Sequence, residues 1–181
     1  FENHSILKTN DNFIGIEFNC LLNNIISYNI GITNHYITKN SNPNINYNFD
    51  FLSPRTKIRA VFSPNNILEL NYSYSNKFPT IDNVLQSKII QDYRNIYQNE
   101  DVYFNTNIPF HQTNITYFYF KQPVFTLITN LNYSLNKKFI NINSQNNISS
   151  NLNQYKVFPN ERSLSAMYYV EKYFPKTKLS I

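Results

Sequence analysis

Apolar and polar residues alternate one by one along most of this chain, and a period of two is the pattern of an extended strand whose two faces meet different surroundings. Ile14, Ile16, Phe18 and Cys20 fall on one side, with Gly15, Glu17 and Asn19 on the other. From residue 26 the apolar set is Ile26, Tyr28, Ile30 and Ile32, with Tyr36 further on, opposite Ser27, Asn29, Gly31, Thr33 and His35. Ile45, Tyr47, Phe49 and Phe51 then alternate with Asn46, Asn48 and Asp50. A helix repeats every 3.6 residues and cannot produce such runs.

The punctuation between runs predicts the connections. A turn is expected around Ser41 to Asn44, and another at Ser63-Pro64-Asn65-Asn66, where proline and asparagine supply turn chemistry. Pro54 lacks a backbone donor and is expected to interrupt its ladder with a bulge or bend. Between Thr80 and Tyr97 the alternation stops, and Val84, Leu85, Ile89, Tyr93 and Ile96 recur at helix-like intervals, so a long external loop with a short helix is expected over 80–101. The predicted strands are about 12–20, 25–38, 44–52, 56–62, 67–76, 113–121, 124–135, 162–172 and 178–181, with a turn at Phe174-Pro175-Lys176-Thr177. Segment 139–160 shows no readable period.

The chain has 181 residues, enough for one domain, and no break in composition calls for a second. Tyr 15 and Phe 15 against Gly 2 and Trp 0 is a composition suited to strands. Asparagine is abundant in the way AT-rich codons produce, so no single Asn, and none of the Asn-x-Ser/Thr triplets, carries meaning alone. The net charge of +5 is spread thinly over the chain, whereas nucleic-acid binding would need a clustered basic patch. Cys20 is alone, which excludes an intrachain disulfide. Beginning at Phe1 and stopping within an alternating stretch at Leu179-Ser180-Ile181, the chain is expected to be a piece of a longer protein.

A half-buried strand of a soluble β-sandwich also alternates. Three features favour a membrane sheet. The polar positions are mostly Asn, Ser, Thr and Gly rather than Lys and Glu. Several runs approach the roughly 9 to 11 residues that a tilted strand needs to cross a bilayer. Tyrosines gather near run ends, at Tyr72, Tyr74, Tyr117, Tyr119, Tyr168 and Tyr169, where aromatic girdles sit in barrels. The expected fold is therefore all-β: an antiparallel up-and-down transmembrane β-barrel segment, part of a larger barrel, in the bacterial outer membrane. The alternative is a soluble or surface-anchored β-sandwich acting as a binding module or adhesin.

Residues Leu52 to Pro79 contain Ser53-Pro54-Arg55, a short Pro64-Asn65 turn, the strand Leu68-Glu69-Leu70-Asn71-Tyr72-Ser73-Tyr74 and a terminal Pro79. This hairpin resembles one found in TonB-dependent outer-membrane receptors, especially those of Bacteroidetes. Asn160-Glu161-Arg162-Ser163-Leu164 leading to Lys172-Tyr173-Phe174-Pro175-Lys176 is similar to a further descending strand and periplasmic turn of such barrels. The resemblance implies TonB-energised uptake of a large nutrient of the metal-chelate, cobalamin or oligosaccharide class. It also implies a plug domain and a TonB-contacting region, neither of which is within this chain, and a surface lipoprotein and the lipid bilayer as partners.

Catalytic machinery is not expected. His4, His35 and His111 stand far apart without metal-ligand spacing, and no cofactor motif is present; two glycines cannot build a phosphate loop. The candidate ligand contacts are in the external loop, at Asp92, Tyr93, Arg94 and Tyr97, since loops concentrate binding. The residues expected to line the lumen are Glu17, Asn46, Asn48, Asp50, Glu69, Asn71 and Ser73.

Overall fold

The computed structural model describes residues 7–41, 45–79, 89–90, 95–99, 102–103, 106–121, 124–146, 151–174 and 179–180. The strands are β1 (Leu7–Leu22), β2 (Ile26–Ser41), β3 (Ile45–Ser63), β4 (Asn66–Lys77), β5 (Ile89–Ile90), β6 (Asn95–Asn99), β7 (Ile108–Lys121), β8 (Phe125–Asn146), β9 (Asn151–Phe174) and β10 (Leu179–Ser180). They form a single sheet in the order β1-β2-β3-β4-β7-β8-β9-β6-β5, with β10 also paired to β9. The seven long strands are an antiparallel meander, each beside its predecessor among the long strands.

Short turns join the strands at one end of the meander. At the first, Asn23 and Asn24 take φ of 51° and 55°, the left-handed conformation that asparagine tolerates. At the second, Pro64 and Asn65 connect β3 to β4 where the sequence predicts a turn, with the Ser63 hydroxyl accepting from the Asn65 backbone N–H at 3.3 Å. The turn expected around 41–44 and the one at 174–177 fall largely outside the described residues.

Three expectations need correction. The ladder passes through Pro54, which pairs with Ile32, and β3 is one strand of 19 residues instead of two. Pairing with β4 begins only at Arg55, so a missing donor is tolerated at this position; the irregularity lies instead between Val61 and Ser63. Segment 139–160, unreadable in sequence, forms the far ends of β8 and β9, paired out to Asn146↔Asn151. Over 80–101, the described residues form strands, with no helix among them: β5 pairs with β6, and β6 runs parallel to Asn151–Tyr155 of β9. A short isolated helix has a costly nucleus, whereas the edge of β9 offers ready ladder partners. Val84, Leu85 and Tyr93 lie outside the described residues.

Among the described residues there is no second layer for the sheet to bury against. The buried hydrophobic residues are Ile37, Val102 and Ile108, while Ile16 and Phe18 are 72% exposed and Tyr168 is 69% exposed. Soluble domains bury apolar residues of this size in a packed core.

Candidate functional site

Cross-strand partners in an antiparallel sheet share a face, so the register sorts every side chain. One row runs Cys20, Tyr28, Ile58, Leu70, Ile115, Leu131, Ala166 across seven strands and contains only apolar or aromatic residues. The adjacent row, one residue away and on the opposite face, runs Asn19, Asn29, Lys57, Asn71, Asn114, Asn132, Ser165 and is polar throughout. Asparagines that mean nothing singly are aligned by the register into one line.

Two further rows flank it, making a polar belt: Glu17, Gly31, Arg55, Ser73, Gln112, Ser134, Ser163 on one side, polar apart from Gly31, and Ser27, Arg59, Glu69, Thr116, Asn130 on the other, polar over these five strands and ending in Leu21 on β1 and Met167 on β9. The side chains bond along and between these rows. Asn29 donates to Asn19 Oδ1 at 2.6 Å and also to Glu17. Asn114 Nδ2 donates to Asn130 Oδ1 at 3.0 Å, Gln112 donates to Asn132 Oδ1 at 3.3 Å, and Ser134 and Ser163 hydroxyls meet at 2.7 Å.

Charge is concentrated at the β1–β4 end. Arg55 pairs with Glu17, while Glu69 accepts from Arg59 Nε at 3.2 Å and faces Lys57 Nζ at 3.4 Å. Gly31 lies between Glu17 and Arg55 in the row; a Cβ there would come within 2.8 Å of Arg55 Nε, so the glycine lets the arginine lie across β2. The belt is hollowed, with a cavity of about 520 Å³ lined by Glu17, Asn29, Arg55, Lys57, Asn71 and Gln112 among others.

The expected lumen residues divide. Glu17, Glu69, Asn71 and Ser73 lie on this hollowed polar face. Asp50 and Asn48 do not: Asp50 pairs with Tyr36 and shares the face of Ile58, and Asn48 follows two residues on. Asn46 is placed at the backbone level, paired with Asn40. Their neighbours Phe49 and Phe51 are on the polar belt's face instead. The physical reason is a polarity inversion along a continuous pleat: beyond about Asn34 and Leu52 the apolar side chains change face.

Past that point the hollowed face is aromatic. His35 stacks on Phe51 with centroids 5.0 Å apart and faces Phe13 at 5.9 Å, while its Nδ1 meets Asp11 Oδ1 at 3.2 Å. Phe78 folds over from the end of β4 to within 4.4 Å of Phe49, and the Lys39 ammonium sits 4.7 Å from the Phe78 ring and 3.5 Å from the Pro79 carbonyl. Burial lowers the Lys39 pKa from its ordinary value. Phe49 and Phe51 were not among the residues expected to line the lumen; the odd numbering of the apolar run 45–51 against the even numbering of Ile58, Ala60 and Phe62 was the available signal.

Of the loop candidates, Asp92, Tyr93 and Arg94 lie outside the described residues. Tyr97 is in β6, opposite Asn153, with its ring 6.4 Å from that of Tyr155. His111 is on the apolar face, where its Nδ1 meets the Tyr72 hydroxyl at 3.0 Å. Among the described residues no three His, Cys, Asp or Glu side chains converge in a metal-binding arrangement.

No protein-family model matches this chain, and no curated protein sequence matches it. Among solved structures it is similar to the copper transporter OprC, with a TM-score of 0.70 over 93% of this chain at 11% sequence identity. The chain spans 26% of that protein's length. At this identity the likeness is one of fold: an all-β sheet of long antiparallel strands in the same arrangement.

Proposed function

We propose that the chain is a section of the wall of an outer-membrane β-barrel transporter, with the apolar face toward lipid and the hollowed polar face toward the lumen. The observation that carries this reading is the pair of adjacent rows, one apolar and one polar, running across seven strands with no second layer on the apolar side among the described residues. In hydrocarbon every backbone donor and acceptor needs an internal partner, and a laddered sheet supplies it. On β1 the alternate apolar positions Ile14 to Leu22 span nine residues, against the ~9 to 11 that a tilted strand uses to cross. Tyr36 and Tyr74 lie toward one margin of the band and Tyr119 toward the other, as aromatic girdles do. Short turns at one end and long strand extensions at the other correspond to the periplasmic and external ends.

The finer reading is TonB-dependent uptake of a large nutrient. It is supported by the Ser53-Pro54-Arg55 hairpin and by the similarity to a protein named as a copper transporter. A plug domain is a fitting partner, because Val61, Ile67, Phe118, Ile128 and Tyr169 form an apolar row on the hollowed face near the short turns, which a seated domain would cover. On this reading the chain is not an enzyme; its role is to enclose and contact the solute, without a cofactor.

The test is a pair of neighbouring substitutions on opposite faces. Leu70→Arg places a charge on the lipid face near mid-band and is expected to cost about 2–4 kcal/mol of folding into bilayers. Asn71→Arg points into the polar belt and is expected to fold like the parent. Folding would be read by heat-modifiable electrophoretic mobility in phospholipid vesicles. Equal effects of the two substitutions, or a folded, soluble parent without detergent, would refute the barrel wall and favour a sandwich.

A further inference from the structure

Three basic residues stand at alternate positions of β3, Arg55, Lys57 and Arg59, so all three project from the polar face about 6.8 Å apart along the strand. Within the belt they face two carboxylates, Glu17 and Glu69. The pairing is unequal. Arg55 has Glu17 to itself, and Glu69 is shared between Arg59 at 3.2 Å and Lys57 at 3.4 Å. Lys57 is therefore the cation with the weakest claim on a counter-ion.

The basic side chains are also the more exposed members of their pairs. Arg55, Lys57 and Arg59 side chains are 57%, 51% and 44% exposed, against 38% for Glu17 and 20% for Glu69. Lys57 lines both the 520 Å³ cavity and a neighbouring one of about 460 Å³. Around it are amide groups able to donate, from Asn71 beside it and Gln112 and Asn114 beyond, while the Asn29 amide is committed to Asn19 and Glu17.

We propose that the hollow around Lys57, with Arg55 and Arg59 at its flanks and the amide of Asn71 beside it, binds the carboxylate or phosphate groups of an anionic solute. The inference rests on the hollowed face being open to solutes, as in the transport reading, and names the chemistry of what passes along it. The ammonium of Lys57 supplies the mobile point charge, the guanidinium of Arg55 or of Arg59, one pleat to either side, donates to a second acidic group, and the Asn71 amide bonds to a remaining oxygen. A neutral sugar would leave Lys57 with only its share of Glu69.

The experiment is isothermal titration of the intact protein in non-ionic detergent with citrate, inorganic phosphate and, as a neutral oxygen-rich control, maltotriose. Saturable binding of citrate or phosphate is expected, with maltotriose silent and affinity falling as sodium chloride is raised. Lys57→Gln is expected to weaken it at least tenfold, Lys57→Arg to retain most of it, and Lys137→Gln, on the far part of β8, to leave it unchanged. Maltotriose binding in place of the anions, or citrate and phosphate binding that is absent or indifferent to Lys57→Gln, would overturn the proposal. Folding of each variant is read separately by heat-modifiable mobility. Anion binding by a protein that proves soluble without detergent would keep the site and remove the transport reading.

Discussion

At the scale of single residues, two positions show how neighbours give a side chain its meaning. Gly31 is one of only two glycines, and its value is the absence of a Cβ beneath Arg55. Arg55 is flexible, so Gly31→Ala is expected to leave the fold intact while swinging the guanidinium away from Glu17. A double-mutant cycle between Arg55→Gln and Glu17→Gln, measured by denaturant titration, should then show coupling in the parent and none in the Gly31→Ala background. Lys39 lies three residues beyond Tyr36, outside the apolar band, where burial lowers its pKa. As pH rises through the folded value toward that of the unfolded chain, the unfolded state holds more protons, so stability rises with pH in that window. Below the folded value the cost of burying the ammonium is fully present. Lys39→Met is expected to abolish this alkaline rise, as seen by comparing denaturation midpoints at pH 8 and above.

At the scale of strands, period two is legible in the sequence along most of the long strands, outside 139–160, but which face each half-strand presents is not. In β3 the apolar set is odd at Tyr47, Phe49 and Phe51 and even at Ile58, Ala60 and Phe62. A change of parity has two explanations, a bulge that resets the pleat or a continuous strand whose surroundings change. Pro54 favours the bulge when the sequence stands alone; only the register Ile32↔Pro54 with Asp50↔Tyr36 shows a continuous pleat. A change of parity also occurs in β8, where Leu127, Leu131 and Tyr133 give way to Ile140 and Ile142, but there the ladder skips Lys137 and Asn160, and Asn160 takes a φ of 54°, so no single period runs through 139–160. The amide row was equally out of reach, since its members are separated in sequence and meet only through pairing. The inversion predicts depth dependence along one face. Ile58→Arg, within the band, is expected to cost about 2–4 kcal/mol, and Asp50→Arg on the same face about 0–1 kcal/mol. Equal costs, measured by urea titration in vesicles, would place Asp50 inside the band.

At the scale of the whole molecule, the strands are longer than a bilayer requires. β8 and β9 have 22 and 24 residues, roughly twice the ~9 to 11 of a crossing strand. Their far halves hold the β4–β7 connection in place. Asn151–Tyr155 of β9 pairs in parallel with β6 and ties that connection to the sheet edge, while Phe78 and Pro79 tie its other end to Phe49 and Lys39. Insertion and loop anchoring are thus carried by different lengths of the same hairpin and are separable. Replacing residues 137–160 by Asn-Gly would close the hairpin at Asn136↔Glu161 with a two-residue turn suited to twisted strands. The shortened protein is expected to insert and show heat-modifiable mobility like the parent, because the apolar rows from Phe125 to Leu135 and from Arg162 to Lys172 are retained. Chymotrypsin should nevertheless cut it after Tyr97 or Tyr103 faster than the parent, because β6 has lost its ladder. Failure to insert would mean that the far hairpin is required to form the wall, and unchanged cleavage would mean that β6 is held by contacts other than β9.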